Sequence, residues 1–346
     1  MPTVTVLAID GGGIRGMIPA AFLNQLEQQT GHLVSELFDY VAGTSTGGIL
    51  ALGLGLRRPN QAAKPYTAAE LMSLYAAQGQ HIFSRSFFHM VGALGSLNGP
   101  KYPEDGVDDV LKTYFAGMRL RDARTNVLVP AYAIELRCPF FFRSWQAQAK
   151  ATAQTHDFEA WHVARCTSAA PTFFPPHRAA AADGQTTYAL IDGGMYANNP
   201  ALCAWVEAHN RHPDAEILIV SLGTGNESKP VSYNDAKDWG LAGWAPHLID
   251  VIFDGVSDTV DFELDEMLNT GGRRSHFRFQ TDLSGASQDM DNTDGDNLQA
   301  LRALGERLAD GAAFAEVCTR VGAVVAERAV LNQGVPMPAA LAREVA

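Results

Sequence analysis

A serine in a glycine-flanked turn is the first residue of this chain that could carry chemistry. Ser45 lies between Gly43 and Gly47 in the pattern G-x-S-x-G. In this pattern the serine occupies a strained turn from a strand into a helix, and the glycines let neighbouring backbone pass close to it. The N-terminal amides of the following helix favour negative charge beside the serine. We therefore predict that Ser45 is a nucleophile, with an ordinary turn of small residues as the alternative.

A glycine-rich loop at residues 10–16 precedes the serine turn. It reads D-G-G-G-I-R-G and contains G-x-G-x-x-G at Gly11, Gly13 and Gly16, which is also a dinucleotide-binding pattern. Nucleotide binding requires an acidic residue about 20 positions later, at the end of the second strand. Here that strand ends in Gly43 and enters the serine turn. The pattern therefore favours backbone N–H groups at a helix N-terminus, placed to hold an oxyanion.

A carboxylate at the end of a later strand is the candidate base. Asp192 precedes Gly193 and Gly194 after a short apolar run. Asp-Gly is a frequent turn signal, so an ordinary turn is the simpler interpretation. A carboxylate at a strand end could equally accept the proton of Ser45. The order of the three motifs along the chain favours this second interpretation.

Arg15 and three histidines are further candidates. The Arg15 guanidinium either binds a substrate phosphate or carboxylate or forms a structural ion pair. A Ser–His–Asp triad would need His156, His162 or His177, but none of them stands in a recognisable triad context. The acidic stretch 289–296 lacks the glycine position of a calcium-binding EF-hand loop and is interpreted as a solvated turn.

The elements that must position these residues alternate between strands and helices. This alternation predicts a three-layer α/β/α fold with a mainly parallel central sheet. If the strands are parallel neighbours, the glycine-bearing loops at 10–16, 43–48, 192–194 and 223–225 converge on one rim of the sheet, where ligands bind. The predicted strands are residues 3–9, 38–42, 126–134, 139–145, 188–191, 216–222 and 276–279.

The charge of the chain limits its partners. With 26 basic and 38 acidic residues, the net charge of the 346-residue chain is −12. Such a balance argues against binding to a nucleic-acid polymer and against electrostatic docking on anionic lipid. Any peripheral membrane contact would have to be local and apolar. Residues 81–102, rich in phenylalanine, are the first candidate for a lid or a lipid-contacting element, and residues 239–244 are the second.

The cysteines and the N-terminus indicate where the chain works and how it is organised. The four cysteines match no zinc or redox spacing, which is typical of reduced thiols in a cytosolic protein. The first residues enter a strand pattern directly, so we expect no secretory signal and a cytoplasmic location. We expect one domain over residues 1–346, with a motif-bearing core at about 4–225 and a helical part at about 226–346.

Three motifs in this order resemble the patatin-like phospholipase family. They are D-G-G-G-x-R-G, then G-T-S-T-G-G, then D-G-G-x-x-x-N-N-P. Residues 167–175 and 221–225 are similar to patatin segments as well. The resemblance covers residues 4 to 225 and continues more weakly towards residue 308.

The resemblance implies a fold, an activity and a set of site residues. It implies a serine carboxylic-ester hydrolase that cleaves fatty acyl esters of phospholipids and related lipids, without a metal or another cofactor. Ser45 and Asp192 would form a dyad in place of a triad, and an acyl-enzyme intermediate would follow. The oxyanion hole would come from the backbone of Gly11, Gly12, Gly13 and Thr46.

Other functions stay open at this stage. A nucleotide-binding oxidoreductase would use the Gly11–Gly16 loop, and a catalytically silent binding or storage protein could share the same fold. Some bacterial relatives are antiviral effectors that cyclic nucleotides activate. The composition of this chain is compatible with that subtype and with a small-molecule activator, but no motif specifies either.

Overall fold

The computed structural model describes residues 2–59, 61–82, 100–226 and 230–332. The fold is built around one sheet of eight strands, in the order β5-β6-β3-β2-β1-β7-β8, with β4 also paired to β3. The strands are β1 (Thr3–Ile9), β2 (Tyr40–Gly43), β3 (Asn126–Ala133), β4 (Cys138–Arg143), β5 (His177–Ala180), β6 (Thr187–Asp192), β7 (Glu216–Leu222) and β8 (His276–Phe279).

Helices lie between most of the strands. They are α1 (Met17–Thr30), α2 (Val34–Leu37), α3 (Thr46–Gly55), α4 (Ala68–Ile82), α5 (Glu104–Phe115), α6 (Ser144–Gln148), α7 (Ala153–His156), α8 (Ala160–Thr167), α9 (Gly194–Ala197), α10 (Ala201–Arg211), α11 (Tyr233–Ala236), α12 (Leu241–Leu268), α13 (Gly295–Leu308) and α14 (Ala312–Asn332). Short 3-10 turns occupy Gly13–Gly16 and Leu120–Asp122.

Both faces of the sheet are buried, as the alternation of side chains along β1 shows. Leu7 and Ile9 belong to the large core on one face, together with side chains of α1 and α3. Val6 and Ala8 belong to the second core, which α10 covers on the other face. Because successive strand residues point to opposite faces, a strand that is apolar throughout must be covered on both sides. This arrangement confirms the predicted three-layer α/β/α fold.

The sheet is mixed in direction. β1 pairs in parallel with β2 and β7, β2 with β3, and β7 with β8. In contrast, β3 is antiparallel to β4 and β6, and β5 is antiparallel to β6. The expectation that the motif-bearing strands have parallel neighbours therefore holds for β1, β2 and β7. It is wrong for β6, because the chain reaches β6 through a hairpin from β5 rather than by a helical crossover.

β2 and β6 share one edge of β3. The other edge of β3 is occupied by β4 along 128–133. On the shared edge, Ala42 of β2 lies opposite Leu128, and Asp192 of β6 lies opposite Ala131. The two strands run towards each other, so their carboxyl ends meet near Pro130. A proline in an inner strand removes one ladder donor, and this gap between two strand ends is a place where that loss is tolerated.

Helix α3 is buried on all sides. Each of its residues from Thr46 to Gly55 is inaccessible or nearly so. A helix that is apolar all round belongs in a protein interior rather than at a surface. Among the described residues, no helix is both long enough and apolar enough to cross a membrane. Of the predicted lid at 81–102, residues 83–99 lie outside the described residues.

Candidate active site

Ser45 occupies a strained turn between β2 and α3. Its backbone has φ 55° and ψ −122°, a conformation that few residues with a side chain adopt. The turn is tight, because a Cβ on Gly43 would lie 1.9 Å from the Gly47 carbonyl oxygen, and one on Gly47 would lie 2.2 Å from the Ile9 carbonyl oxygen. The two flanking glycines therefore provide the close backbone passage that the sequence pattern predicts, and the Ser45 side chain is held at the N-terminus of a buried helix.

Thr167 fixes the backbone of this turn. Its hydroxyl accepts the Ser45 N–H at 3.0 Å and donates to the Pro130 carbonyl oxygen at 2.7 Å. Two residues later, the Ala169 carbonyl oxygen accepts the Asp192 N–H at 3.1 Å. The segment from Thr167 to Ala169 thus contacts the serine turn, the end of β6 and the middle of β3. Residues 167–175 resemble a patatin segment, but their sequence alone indicates no role for Thr167 or Ala169.

Asp192 is buried beside Ser45. Its Oδ1 accepts the Gly194 N–H at 2.7 Å, while Oδ2 forms no hydrogen bond of ordinary geometry with any described residue. Burial raises the pKa of this carboxyl to about 7, outweighing the Gly194 N–H and the adjacent Ser45 hydroxyl, which both lower it. The hydroxyl is therefore close enough to stabilise the anion, although it is not in a well-formed hydrogen bond. Catalytic hydrogen bonds are often loose before substrate binds.

The glycine-rich loop runs beside the serine. A Cβ on Gly11 would lie 3.1 Å from the Ser45 Cβ, which shows how closely the two backbones approach. The Gly11 N–H donates to the Asn198 carbonyl oxygen at 3.2 Å and is engaged in this structure. The Gly11 carbonyl oxygen accepts the Thr224 hydroxyl at 2.7 Å. The loops at 10–16, 43–48, 192–194 and 223–225 therefore meet, as predicted.

Gly13 requires the absence of a side chain. It has φ 58°, and a Cβ would lie 2.1 Å from the Met290 carbonyl oxygen. That same oxygen accepts the Ile14 N–H at 2.8 Å. The stretch 289–296 is thus not merely a solvated turn, because Met290 packs against the glycine loop and Asp291 pairs with Lys101. With the Ile14 N–H engaged by the protein, the loop is less suited to the pyrophosphate of a dinucleotide.

An ion pair anchors the start of the glycine loop. The buried Asp10 carboxylate accepts two hydrogen bonds from Arg278, of 3.0 and 2.7 Å. Arg278 also donates to the Ser221 hydroxyl at 3.0 Å. Three strand ends, those of β1, β7 and β8, are joined by this cluster. No local sequence pattern indicates this cluster, because Arg278 stands in no motif and lies 268 positions from Asp10.

Arg15 points into the protein. Its side chain is buried, and Nη1 donates to the Gln288 carbonyl oxygen at 3.4 Å. It also lies near Asp250, whose pKa it lowers against a larger rise caused by burial. These contacts fit the structural ion pair better than the substrate-binding role, which stays a prediction.

An apolar cleft opens onto Ser45. Ser45 is 7% exposed and Asp192 is fully buried, so the pair has little access to bulk water. Tyr75 in the cleft shares a hydrogen bond of 2.5 Å with the Thr46 hydroxyl, and burial raises the pKa of this tyrosine. A groove of this character suits a hydrocarbon chain. The cleft is lined by Gly13, Ile14, Ser45, Thr46, Ile49, Leu74, Tyr75, Ile82, Val107, Ser168, Ala170, Phe173, Phe174, Ile249, Phe253 and Met290.

The candidate histidines lie elsewhere. His162 and His177 contact each other through ring nitrogens 2.8 Å apart, and His156 contacts Thr155 on the surface. None of the three lines the cleft that holds Ser45. Within the described ranges, no group of histidine, cysteine, aspartate or glutamate side chains could hold a metal ion. The four cysteines are unpaired thiols.

Comparison with known proteins shows which sequences this chain resembles. The family profile described as "Patatin-like phospholipase" matches residues 7–205. "Patatin-like protein 2" of Arabidopsis thaliana is 33% identical over 340 residues, covering 88% of this chain and 82% of that protein. "Patatin-like protein 2" of Oryza sativa subsp. indica is 33% identical over 345 residues, covering 89% and 84%. A solved structure, VipD from Legionella pneumophila, aligns with 14% identity and a TM-score of 0.39, over 92% of this chain and 66% of that one.

The fold is that of an α/β/α protein, with a tight strand-to-helix turn at Ser45. The sequence matches go further: the chain belongs to the patatin-like phospholipase family. This membership supports lipid acyl hydrolase activity, with lipid esters as substrates.

Proposed function

We propose that this chain hydrolyses fatty acyl esters through a dyad of Ser45 and Asp192. The observation that carries the proposal is the buried Asp192 carboxyl beside the serine turn, with a pKa of about 7. An exposed aspartate with its ordinary pKa would be too weak a base for a hydroxyl. Burial makes the carboxylate more basic while leaving a large fraction ionised at neutral pH.

In the first step, the Ser45 Oγ attacks the acyl carbonyl carbon while Asp192 accepts the hydroxyl proton. The carbonyl oxygen becomes an oxyanion beside the backbone N–H groups of Gly12, Gly13 and Thr46. The Thr46 N–H is at the start of α3, where helix amides have no partner inside the helix. Each such donor is worth ~10²–10³ in rate. The intermediate then collapses, and Asp192 returns the proton to the leaving alcohol.

In the second step, water releases the fatty acid. Asp192 accepts a proton from a water molecule, whose oxygen attacks the acyl carbon on Ser45. Collapse of this second intermediate breaks the bond to the Ser45 Oγ and returns the proton to it. The apolar cleft beside the serine holds the acyl chain during both steps and limits access of other water.

Contact with a membrane surface is part of this proposal. Val231 and Val251 are exposed apolar residues that also line a cavity adjoining the cleft. Clusters of exposed apolar side chains often mark interaction sites. Because the net charge is −12, this contact would be apolar rather than electrostatic. The exposed residues of this surface are Val231, Tyr233, Trp244, Leu248 and Val251.

The test is fatty-acid release from mixed phospholipid vesicles. We expect release by the wild type and loss of at least ~10³-fold in Ser45→Ala and Asp192→Asn. Ser73→Ala is the matched control and should retain release, because Ser73 is exposed, does not line the cleft and its hydroxyl donates only to the Ala69 carbonyl oxygen of its own helix. Equal release by wild type and Ser45→Ala would overturn the nucleophile assignment.

A further arm separates an activator-dependent enzyme from a silent fold. If vesicles yield no fatty acid, the wild type is assayed with a soluble p-nitrophenyl ester, with and without cyclic nucleotides. Hydrolysis that appears only with a cyclic nucleotide would support the antiviral-effector subtype. Absence of hydrolysis under every condition would support a binding or storage protein.

A further inference from the structure

A second cavity adjoins the cleft that holds Ser45. Its volume is about 600 Å³, and it shares the walls formed by Phe173, Ile249 and Met290 with the cleft. A lipid whose ester carbonyl lies at Ser45 and whose acyl chain fills the apolar cleft must direct its polar head away from that cleft. The shared walls place the second cavity on that path.

The lining of the second cavity is acidic. Lys101 also lines the cavity and forms an ion pair with Asp291. Arg15 lies close enough to Asp250 to lower the pKa of that carboxyl. Among the described residues that line the cavity, five carboxylates stand against one lysine, and a cavity lined mainly by one sign of charge attracts the opposite sign. The acidic lining residues are Asp235, Asp250, Asp254, Asp289 and Asp291.

An aromatic wall accompanies the acidic residues. Trp239 and His247 both line the cavity, and their rings stack in parallel with centroids 4.6 Å apart. Trp244 packs edge-on against Trp239 at 5.4 Å. Aromatic rings beside carboxylates form an environment that suits ammonium groups, because ring quadrupoles and carboxylates both attract a cation.

We propose that the second cavity binds the substrate's polar head and selects head groups that carry an ammonium group, such as phosphocholine or phosphoethanolamine, over anionic ones. This inference rests on the proposed function, since it takes Ser45 as the point of ester cleavage. The lipid phosphate would lie towards Lys101, and the ammonium group would lie among the carboxylates and Trp239. An anionic head group such as phosphoglycerol would place no cation among these carboxylates.

Hydrolysis of short-chain lipids tests the selection. Dihexanoyl phosphatidylcholine and dihexanoyl phosphatidylglycerol are supplied as monomers, so that vesicle charge has no effect. We expect the wild type to prefer the choline lipid in kcat/KM by roughly three- to tenfold, because exposed charge pairs contribute modestly. Asp254→Asn/Asp289→Asn should reduce this ratio to within about twofold of equality. A wild-type ratio of one or below would overturn the inference.

The charge-matched control is Asp214→Asn/Asp310→Asn. Both of these aspartates are exposed and outside the cavity, and Asp214 precedes the amino end of β7, whereas the site lies beyond the carboxyl ends of β1, β2 and β7. This control removes the same charge from the protein and should retain the wild-type ratio. A fall in the ratio equal to that of the cavity variant would trace the preference to net charge and overturn the inference.

A binding measurement separates this inference from the proposed function. Monomeric dodecylphosphocholine and dodecylphosphoglycerol are titrated into Ser45→Ala, with tryptophan fluorescence as the readout, because Trp239 lines the cavity. Tighter binding of the choline compound, without hydrolysis of any ester by the wild type, would support the cavity and overturn the proposed function. Hydrolysis of both dihexanoyl lipids with equal kcat/KM, together with equal binding of the two dodecyl compounds, would support the proposed function and overturn the inference about the cavity.

Discussion

Replacing Asp192 by asparagine should make the protein more stable at neutral and alkaline pH. Asparagine has the same shape and can still accept the Gly194 N–H through its Oδ1. In the wild type, the carboxyl titrates at about 7 when folded, against an ordinary value of 3.8. Above pH 3.8 the unfolded chain releases this proton more readily than the folded protein does, so ionisation favours unfolding.

The magnitude follows from the pKa difference. A gap between 3.8 and about 7 corresponds to about 4 kcal/mol. The stability that the protonated Asp192 contributes is fully present below about pH 4, declines as pH rises, and is lost above about pH 7. Asparagine does not titrate. Between about pH 5 and pH 8, the stability of Asp192→Asn relative to the wild type should therefore increase by about 3 kcal/mol.

Urea denaturation at these two pH values measures the effect. The difference between variant and wild type is taken at each pH, and the change in this difference cancels the titration of every other group. Asp214→Asn provides the control, because this aspartate is exposed and its change should leave the difference near zero. A stability gain that is equal at both pH values, or larger at the lower one, would show that Asp192 is not a carboxyl with a raised pKa.

Three further predictions concern catalysis. Below about pH 7, log kcat/KM should fall by about one per pH unit as the proposed base becomes protonated, and a flat profile from pH 5 to 9 would contradict its role. Gly13→Ala should lower kcat by at least ~100-fold and stability by about 1–3 kcal/mol, because Gly13 has φ 58° and Met290 leaves no room for a side chain. Gly31→Ala is the control: Gly31 also has a positive φ, 71°, but lies in open space, so this change should lower stability and leave kcat unchanged. Thr167→Val removes the acceptor of the Ser45 N–H and should reduce kcat roughly 10- to 100-fold with little change in KM. An unchanged kcat would show that the serine turn does not need the hydrogen bond to Thr167.

Much of the fold could be predicted because its strands are short apolar runs between turn signals. The spans 3–9, 216–222 and 276–279 match the structure residue for residue. Strand β5 at His177–Ala180 was missed, because His-Arg-Ala-Ala carries neither alternation nor β-branched residues. Strand direction could not be predicted either. The antiparallel placement of β6 depends on its pairing with Ala131–Ala133 of β3, a long-range choice that no local pattern encodes.

The candidate site likewise has a part that could be predicted from the sequence and a part that could not. Ser45 and Asp192 could be proposed from their motifs, since the chemistry constrains nearby residues in the chain. The contacts that hold these motifs could not, because they join residues far apart in sequence. Thr167 lies more than 120 positions after Ser45, and Arg278 lies 268 positions after Asp10. Single side chains on ordinary elements carry no local signature of such partners.

The contact of Met290 with the glycine loop also has a consequence for biosynthesis. Because synthesis runs from the N-terminus, the loop at Gly13 leaves the ribosome well before its Met290 partner. At ~5–20 residues per second, about 100 residues separate the synthesis of Asp192 from that of Met290, which takes roughly 5–20 s. During this interval the nascent chain holds both members of the proposed dyad without the wall that fixes the loop. The order of translation thus keeps the growing chain from assembling its complete site until its C-terminal part has been made.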